Sequence, residues 1–238
     1  MVARPPEPDL AVYLQPTPFI ESDAPAVRAF ASEAAGDART DVERAVRLFY
    51  AVRDQIRYDP YGVELTVEGL RATAVLERKA GFCVAKAILL AACARALGIP
   101  ARLGFADVRN HLVTERLRAQ MGTDVFVFHG YTELHLEGRW VKATPTFNRS
   151  LCERFGVRTL EFDGRHDSLL HPFDATGERH MEYIRDRGHA ADVPLEDIRR
   201  AFQEHYPAMT AAGSPASAGD FEREAAEAAA RHAREPTT

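Results

Sequence analysis

Apolar positions recur at helical spacing in three early segments and run almost unbroken through a fourth. Beyond residue 125 they sit in runs of β-type side chains. In "SDAPAVRAFASEAAG", Ser22 or Asp23 suits a cap, Pro25 a first turn and Gly36 a stop. In "TDVERAVRLFYAVRDQIRYDP", Thr40 or Asp41 caps a helix carrying Val42, Ala45, Val46, Phe49 and Val52 at helical spacing. Asp59-Pro60 ends it. "RATAVLERKAG" predicts a short helix ending at Gly81. "FCVAKAILLAACARALG" is apolar nearly all round, which predicts a helix buried on most sides, stopped by Gly98 and Pro100.

"ARLGF" reads as a strand, and a short helix is expected at 114–120. "DVFVFHGYTELHLEGRWVKATPTF" carries the strongest β signal, two runs flanking a tight turn at Glu137-Gly138. Strict alternation puts Phe126, Phe128, Thr132, Leu134 and Leu136 on one face, and Val125, Val127, His129, Tyr131, Glu133 and His135 on the other. A two-residue turn sets Leu136 opposite Arg139, Tyr131 opposite Thr144 and His129 opposite Thr146. Thr144 then shares the face of His129. Past residue 150 the pattern breaks into short apolar pieces, apart from a helix in "PLEDIRRAFQEHYP" closed by Pro207. The resulting organisation is an extended proline-rich arm (1–23), one domain (24–207) and a flexible tail (208–238) with a helix at 220–233. No internal repeat or second domain is evident.

Composition narrows the function. Of 238 residues, 46% are hydrophobic and 27% charged, which suits a soluble globular chain. A net charge of -5 argues against nucleic acid or an anionic membrane as partner. The N-terminal stretch has no apolar signal region and no segment approaches membrane-spanning length, so a cytoplasmic protein is expected. The oligomeric state is not encoded in these features. Three cysteines, Cys83, Cys93 and Cys152, do not form a disulfide framework. On one helix Cys83 and Cys93 would lie roughly 15 Å apart. No clustered metal-ligand spacing occurs, so no metal or other cofactor is expected.

Cys83 heads the apolar helix. First-turn amides and the helix dipole stabilise a thiolate there, which predicts a reactive, low-pKa sulfur. His129 on the hairpin is the candidate base, able to take the thiol proton and protonate a leaving amine. The Cys83 N–H is a candidate oxyanion donor, with Gln55 or Tyr58 as possible helpers.

These residues reach a known pattern. Gly81-x-Cys83, then Arg95-x-x-Gly98-Ile99-Pro100-Ala101-Arg102, His129-x-Tyr131-x-Glu133 and Trp140-Val141-x-x-Thr144-Pro145-Thr146 resemble the core motifs of the transglutaminase-like superfamily over roughly residues 40–150. The resemblance implies an α+β, papain-like fold. N-terminal helices and a buried Cys-bearing helix would pack on an antiparallel sheet. It further implies acyl transfer or hydrolysis at an amide through a thioester, on a peptide, protein or small amide substrate, with Cys83 as nucleophile and His129 as base. The family's aspartate position is Thr144 here. Its hydroxyl can accept the imidazole N–H but brings no charge. Asn148, Asp163, Asp167 or Asp174 could substitute, and His171 could reach the site. Trp140 is expected in the core or as a wall of the site, Tyr131 beside His129, and Glu133 paired with Arg102. Three functions compete: a cysteine protease, amidase or acyltransferase; a binding module that has lost its triad; and a zinc protein using Cys83 and His129.

Overall fold

The computed structural model describes residues 9–111, 113–170, 181–210 and 219–232, with backbone alone for Thr210 and residues 228–232. Helices precede the sheet: α1 (Pro25–Ala35), α2 (Asp41–Gln55), α3 (Val67–Leu70), α4 (Ala72–Arg78) and α5 (Cys83–Ala96). Two short strands, β1 (Arg57–Tyr58) and β2 (Ala80–Gly81), pair in parallel. Then come β3 (Ala101–Asn110), α6 (Glu115–Met121), β4 (Val125–Leu136), β5 (Arg139–Ala143), α7 (Arg149–Phe155), β6 (Met181–Ala190), α8 (Leu195–His205), α9 (Pro207–Thr210) and α10 (Phe221–His232). The main sheet is antiparallel with order β5-β4-β3-β6. The fold is therefore α+β, with the cysteine-bearing helix buried against an antiparallel sheet.

Local chemistry explains the helix ends. Thr40 and Glu43 form a reciprocal capping box on α2. Pro25 opens α1, although Ala24 rather than Ser22 or Asp23 is its cap and has no side-chain acceptor for the first-turn amides. Every residue of α5 from Cys83 to Arg95 is buried, two cations included. Both are held by carbonyls. Lys86 Nζ donates to Arg53 O (2.9 Å) and Ile56 O (2.6 Å). Arg95 donates to Ala101 O, to Gln15 O in the N-terminal arm, and to Ala191 O beyond β6. Those bonds satisfy donors that would otherwise be costly to bury.

The arm is tied down from residue 9 onward. Phe19, Ile20 and Ser22 are buried, and Thr17 Oγ1 donates to Asp192 Oδ1 at 2.8 Å. At the other end, α10 is docked rather than loose. Phe221 and Ala225 are buried, Glu222 accepts from Asn148 Nδ2 at 3.0 Å, and Glu224 accepts from the Tyr61 hydroxyl. Among the described residues no helix is long and apolar enough to cross a membrane.

The β4–β5 hairpin has the expected register, with Leu136 opposite Arg139 and Thr132 opposite Ala143. The faces before residue 129 differ from strict alternation. Ala106 pairs with His129 and Val108 with Phe126, so two β4 residues, Val127 and Phe128, oppose Asp107 alone. Phe128 takes φ +54°, and its N–H goes to Asp107 Oδ1 at 3.1 Å. This bulge inverts the side-chain phase and puts Phe126, not Val125 or Val127, on the face of His129.

Candidate active site

Cys83 is the first residue of α5, and its cap, Phe82, offers no side-chain acceptor. The first-turn amides are therefore available to the sulfur. Two glycines allow the approach. A Cβ on Gly81 would sit 2.8 Å from Ala85 Cβ, and one on Gly130 would sit 2.9 Å from Val84 Cα. Gly130 thus lets the head of α5 lie directly against β4, one residue from His129. The β1–β2 pairing brings Tyr58 alongside Gly81, which fixes Tyr58 next to the same turn.

Gly130 faces α5, and Thr132 Oγ1 donates to Ala87 O at 2.9 Å. By alternation His129 projects from the opposite face. It nevertheless lines one cavity together with Cys83, Tyr58, Phe82, Phe128 and Tyr206. The remaining walls are apolar, with Leu117 and Met121 from α6 and Phe202 and Met209 from α8 and α9. The cavity measures about 40 Å³. That admits roughly three water-sized spheres.

Burial sets the charge state. Burial pushes the Cys83 thiol up to about 11, although the amides of Gly130, Val84 and Cys83 pull it the other way. Burial also pushes His129 down to about 4. The pair is thus thiol and neutral imidazole. This corrects the low-pKa sulfur expected from the helix terminus: desolvation by burial outweighs the first-turn amides. Among the described residues, His129 Nε2 has no hydrogen-bond partner.

Thr144 directly follows β5. Its Oγ1 is buried and does not bond His129 here. The two are nevertheless neighbours of one side chain. Tyr183 on β6 meets the His129 ring edge-on at 6.4 Å, and its hydroxyl lies beside Thr144 while accepting from Leu170 N at 3.3 Å. Sequence reading missed Tyr183 because "MEYIRDRGHA" is a polar edge strand without apolar alternation.

The other substitutes are engaged elsewhere. Asn148 bonds Tyr58 N, Ser150 and Glu222. Asp163 binds the backbone and ring of His166, and Asp167 accepts from Lys142 N. Asp174 and His171 lie outside the described residues. Of the oxyanion helpers, Tyr58 lines the cavity whereas Gln55 is exposed. Glu133 pairs with Arg102 at 2.5 Å, as expected. Trp140 is no wall of the cavity: Arg102 stacks on it at 4.1 Å and Tyr13 meets it edge-on at 5.0 Å. Tyr131 turns to Lys142, 5.1 Å from its ring, rather than to His129. Among the described residues no group of three or more His, Cys, Asp or Glu is placed to hold a metal.

Residues 28–145 match the model of the transglutaminase-like superfamily. No curated protein matches the chain. Among solved structures, a candidate cysteine protease from Cytophaga hutchinsonii superposes with a TM-score of 0.50 at 17% identity, over 78% of this chain and 48% of that one. The chain thus spans about half of that protein, and the likeness is one of fold. A candidate protease from Parabacteroides distasonis gives a TM-score of 0.36 at 15% identity, over 50% of this chain and 22% of that one.

Proposed function

From the premise that residues 28–145 make this chain a member of the transglutaminase-like superfamily, we propose that it is a cysteine acyl-transfer enzyme or hydrolase acting on amides. The observation that carries this is the convergence of Cys83 and His129 on one cavity at the head of α5. Cys83 Sγ gives its proton to His129 and attacks the amide carbonyl. The Cys83 and Gly130 amides, which act on the sulfur, are the proposed oxyanion donors. His129 returns the proton to the leaving amine, and water or an acceptor amine then cleaves the thioester. Thr144 is the proposed orienter of the imidazole, by accepting its N–H once the site rearranges.

The test is acylation. Protein incubated with peptide p-nitrophenyl esters should gain a thioester adduct on Cys83, seen by mass spectrometry. The adduct should be absent from Cys83→Ala and much slower to form in His129→Ala. If wild type forms no adduct while free cysteine does, the acyl-transfer reading fails. The second reading is then preferred, a binding module that has lost catalysis. The neutral thiol and the Thr144 replacement favour it.

A further inference from the structure

β4 is covered unequally on its two edges. β3 pairs along nearly all of it, but β5 reaches only Thr132–Leu136. On that side, among the described residues, the segment from Val125 to Tyr131 has no neighbouring strand. The Asn110 N–H donates to Asp124 O at 2.9 Å, which turns Asp124 and Phe126 toward β3. The C=O of Val125 and the N–H of Val127 therefore point to the open edge. One side chain fills both positions. Tyr206 Oη accepts the Val127 N–H at 2.6 Å and donates to Val125 O at 2.9 Å.

An added strand would engage these same two groups, an N–H meeting the carbonyl and a C=O meeting the amide. The edge continues past the bulge to Gly130, whose amide acts on the Cys83 sulfur. A main chain laid on it would run to the nucleophile. Tyr206 sits between α8 and α9, packs on Phe202 at 5.0 Å, and with Phe202 and Met209 roofs the cavity. A cavity of about 40 Å³ cannot accept a peptide unit with this roof in place.

We propose that Tyr206 is a latch on a strand-binding edge: when α8 and α9 lift, the main chain of an extended peptide substrate replaces the tyrosine hydroxyl at Val125 and Val127 and presents its amide to Cys83. The peptide half of this inference rests on the acyl-transfer reading, whereas the latch half does not.

The test separates the two. Tyr206→Phe keeps the ring and removes both bonds. Cys83 alkylation by iodoacetamide should then rise about tenfold, the scale of one or two lost buried hydrogen bonds. Exchange of the Val127 amide, followed by NMR, should rise with it. In the inert Cys83→Ala, Tyr206→Phe double variant, millimolar acetyl-Val-Ala-Val-Ala-amide should protect the Val127 amide again, and its N-methylated twin should not. Wild-type alkylation and exchange rates in Tyr206→Phe overturn the latch. Equal behaviour of the two peptides, or no protection by either, overturns the strand site. Because Cys83→Ala performs no chemistry, these results do not depend on acylation. Should Tyr206→Phe fold poorly, wild type still decides. Low urea must raise Cys83 alkylation and Val127 exchange in parallel, and independent responses overturn the latch.

Discussion

Lys86 offers the sharpest test of the buried core. It lies one turn after Cys83, fully buried, with two backbone carbonyls as hydrogen-bond acceptors. Burial lowers its pKa from the usual 10.5 to about 7, with Asp54 pulling the other way. Between those values the unfolded chain binds a proton that the folded chain does not, so stability must rise with pH across that window. From pH 7 to pH 9.5 the linkage amounts to about 3 kcal/mol. Lys86→Met removes the titration, and with it the slope. The variant also leaves the Arg53 and Ile56 carbonyls unpaired, at roughly 1–3 kcal/mol each. That roughly offsets the relief of a buried ammonium at pH 7. The two proteins should therefore be of similar stability at pH 7, and wild type should lead by about 3 kcal/mol at pH 9.5. Urea denaturation of both at half-unit intervals measures this, and taking the difference cancels other titrating groups. A difference that stays flat, or falls with pH, would refute the assignment of a depressed pKa to a buried lysine.

Two further predictions concern the site itself. Gly130→Ala sets a methyl 2.9 Å from the Val84 backbone. It should cost about 1–3 kcal/mol in chemical denaturation and slow Cys83 acylation, and a neutral result would mean that α5 does not pack against β4 there. His129, held near 4 against 6.5 when unfolded, opposes acid. Above 6.5 its contribution is fully present, and it is lost as pH falls toward 4. From pH 7 to pH 5 wild type should lose about 2 kcal/mol more than His129→Gln, and parallel curves for the two would place the imidazole in water.

Much of this was legible in the chain. The hairpin register followed from a two-residue turn, because one turn fixes every pair beyond it. The capping box on α2 and the burial of α5 followed from local chemistry. The bulge at Phe128 did not, because no glycine marks its positive φ; Asp107, brought alongside by β3, holds the Phe128 amide. β6 was hidden since its residues are mostly exposed and lack apolar alternation, and only pairing with β3 makes it a strand. The thiol's charge state was misread for a related reason. A helix terminus is a local feature, but the roof that helps bury it comes from residues 202–209, more than a hundred positions away.

That burial gives Thr144 its meaning. A thiolate–imidazolium pair needs its positive member stabilised, and a hydroxyl supplies no counter-charge. In an apolar cavity that buries both side chains the neutral pair is therefore the stable one, and charge separation must await substrate. Thr144→Asp tests this directly. A carboxylate beside Tyr183, on the His129 side of the sheet, should raise the His129 pKa from about 4, because an opposite charge favours the imidazolium. The imidazole resonances, titrated by NMR, give the value. The same variant should alkylate faster at Cys83 near neutral pH, as His129 becomes a stronger base. A raised imidazole pKa with unchanged Cys83 reactivity would mean that His129 does not take the thiol proton. An unmoved pKa in a folded variant would mean that position 144 does not address the imidazole at all, and the third member of the site would have to be sought at Tyr183.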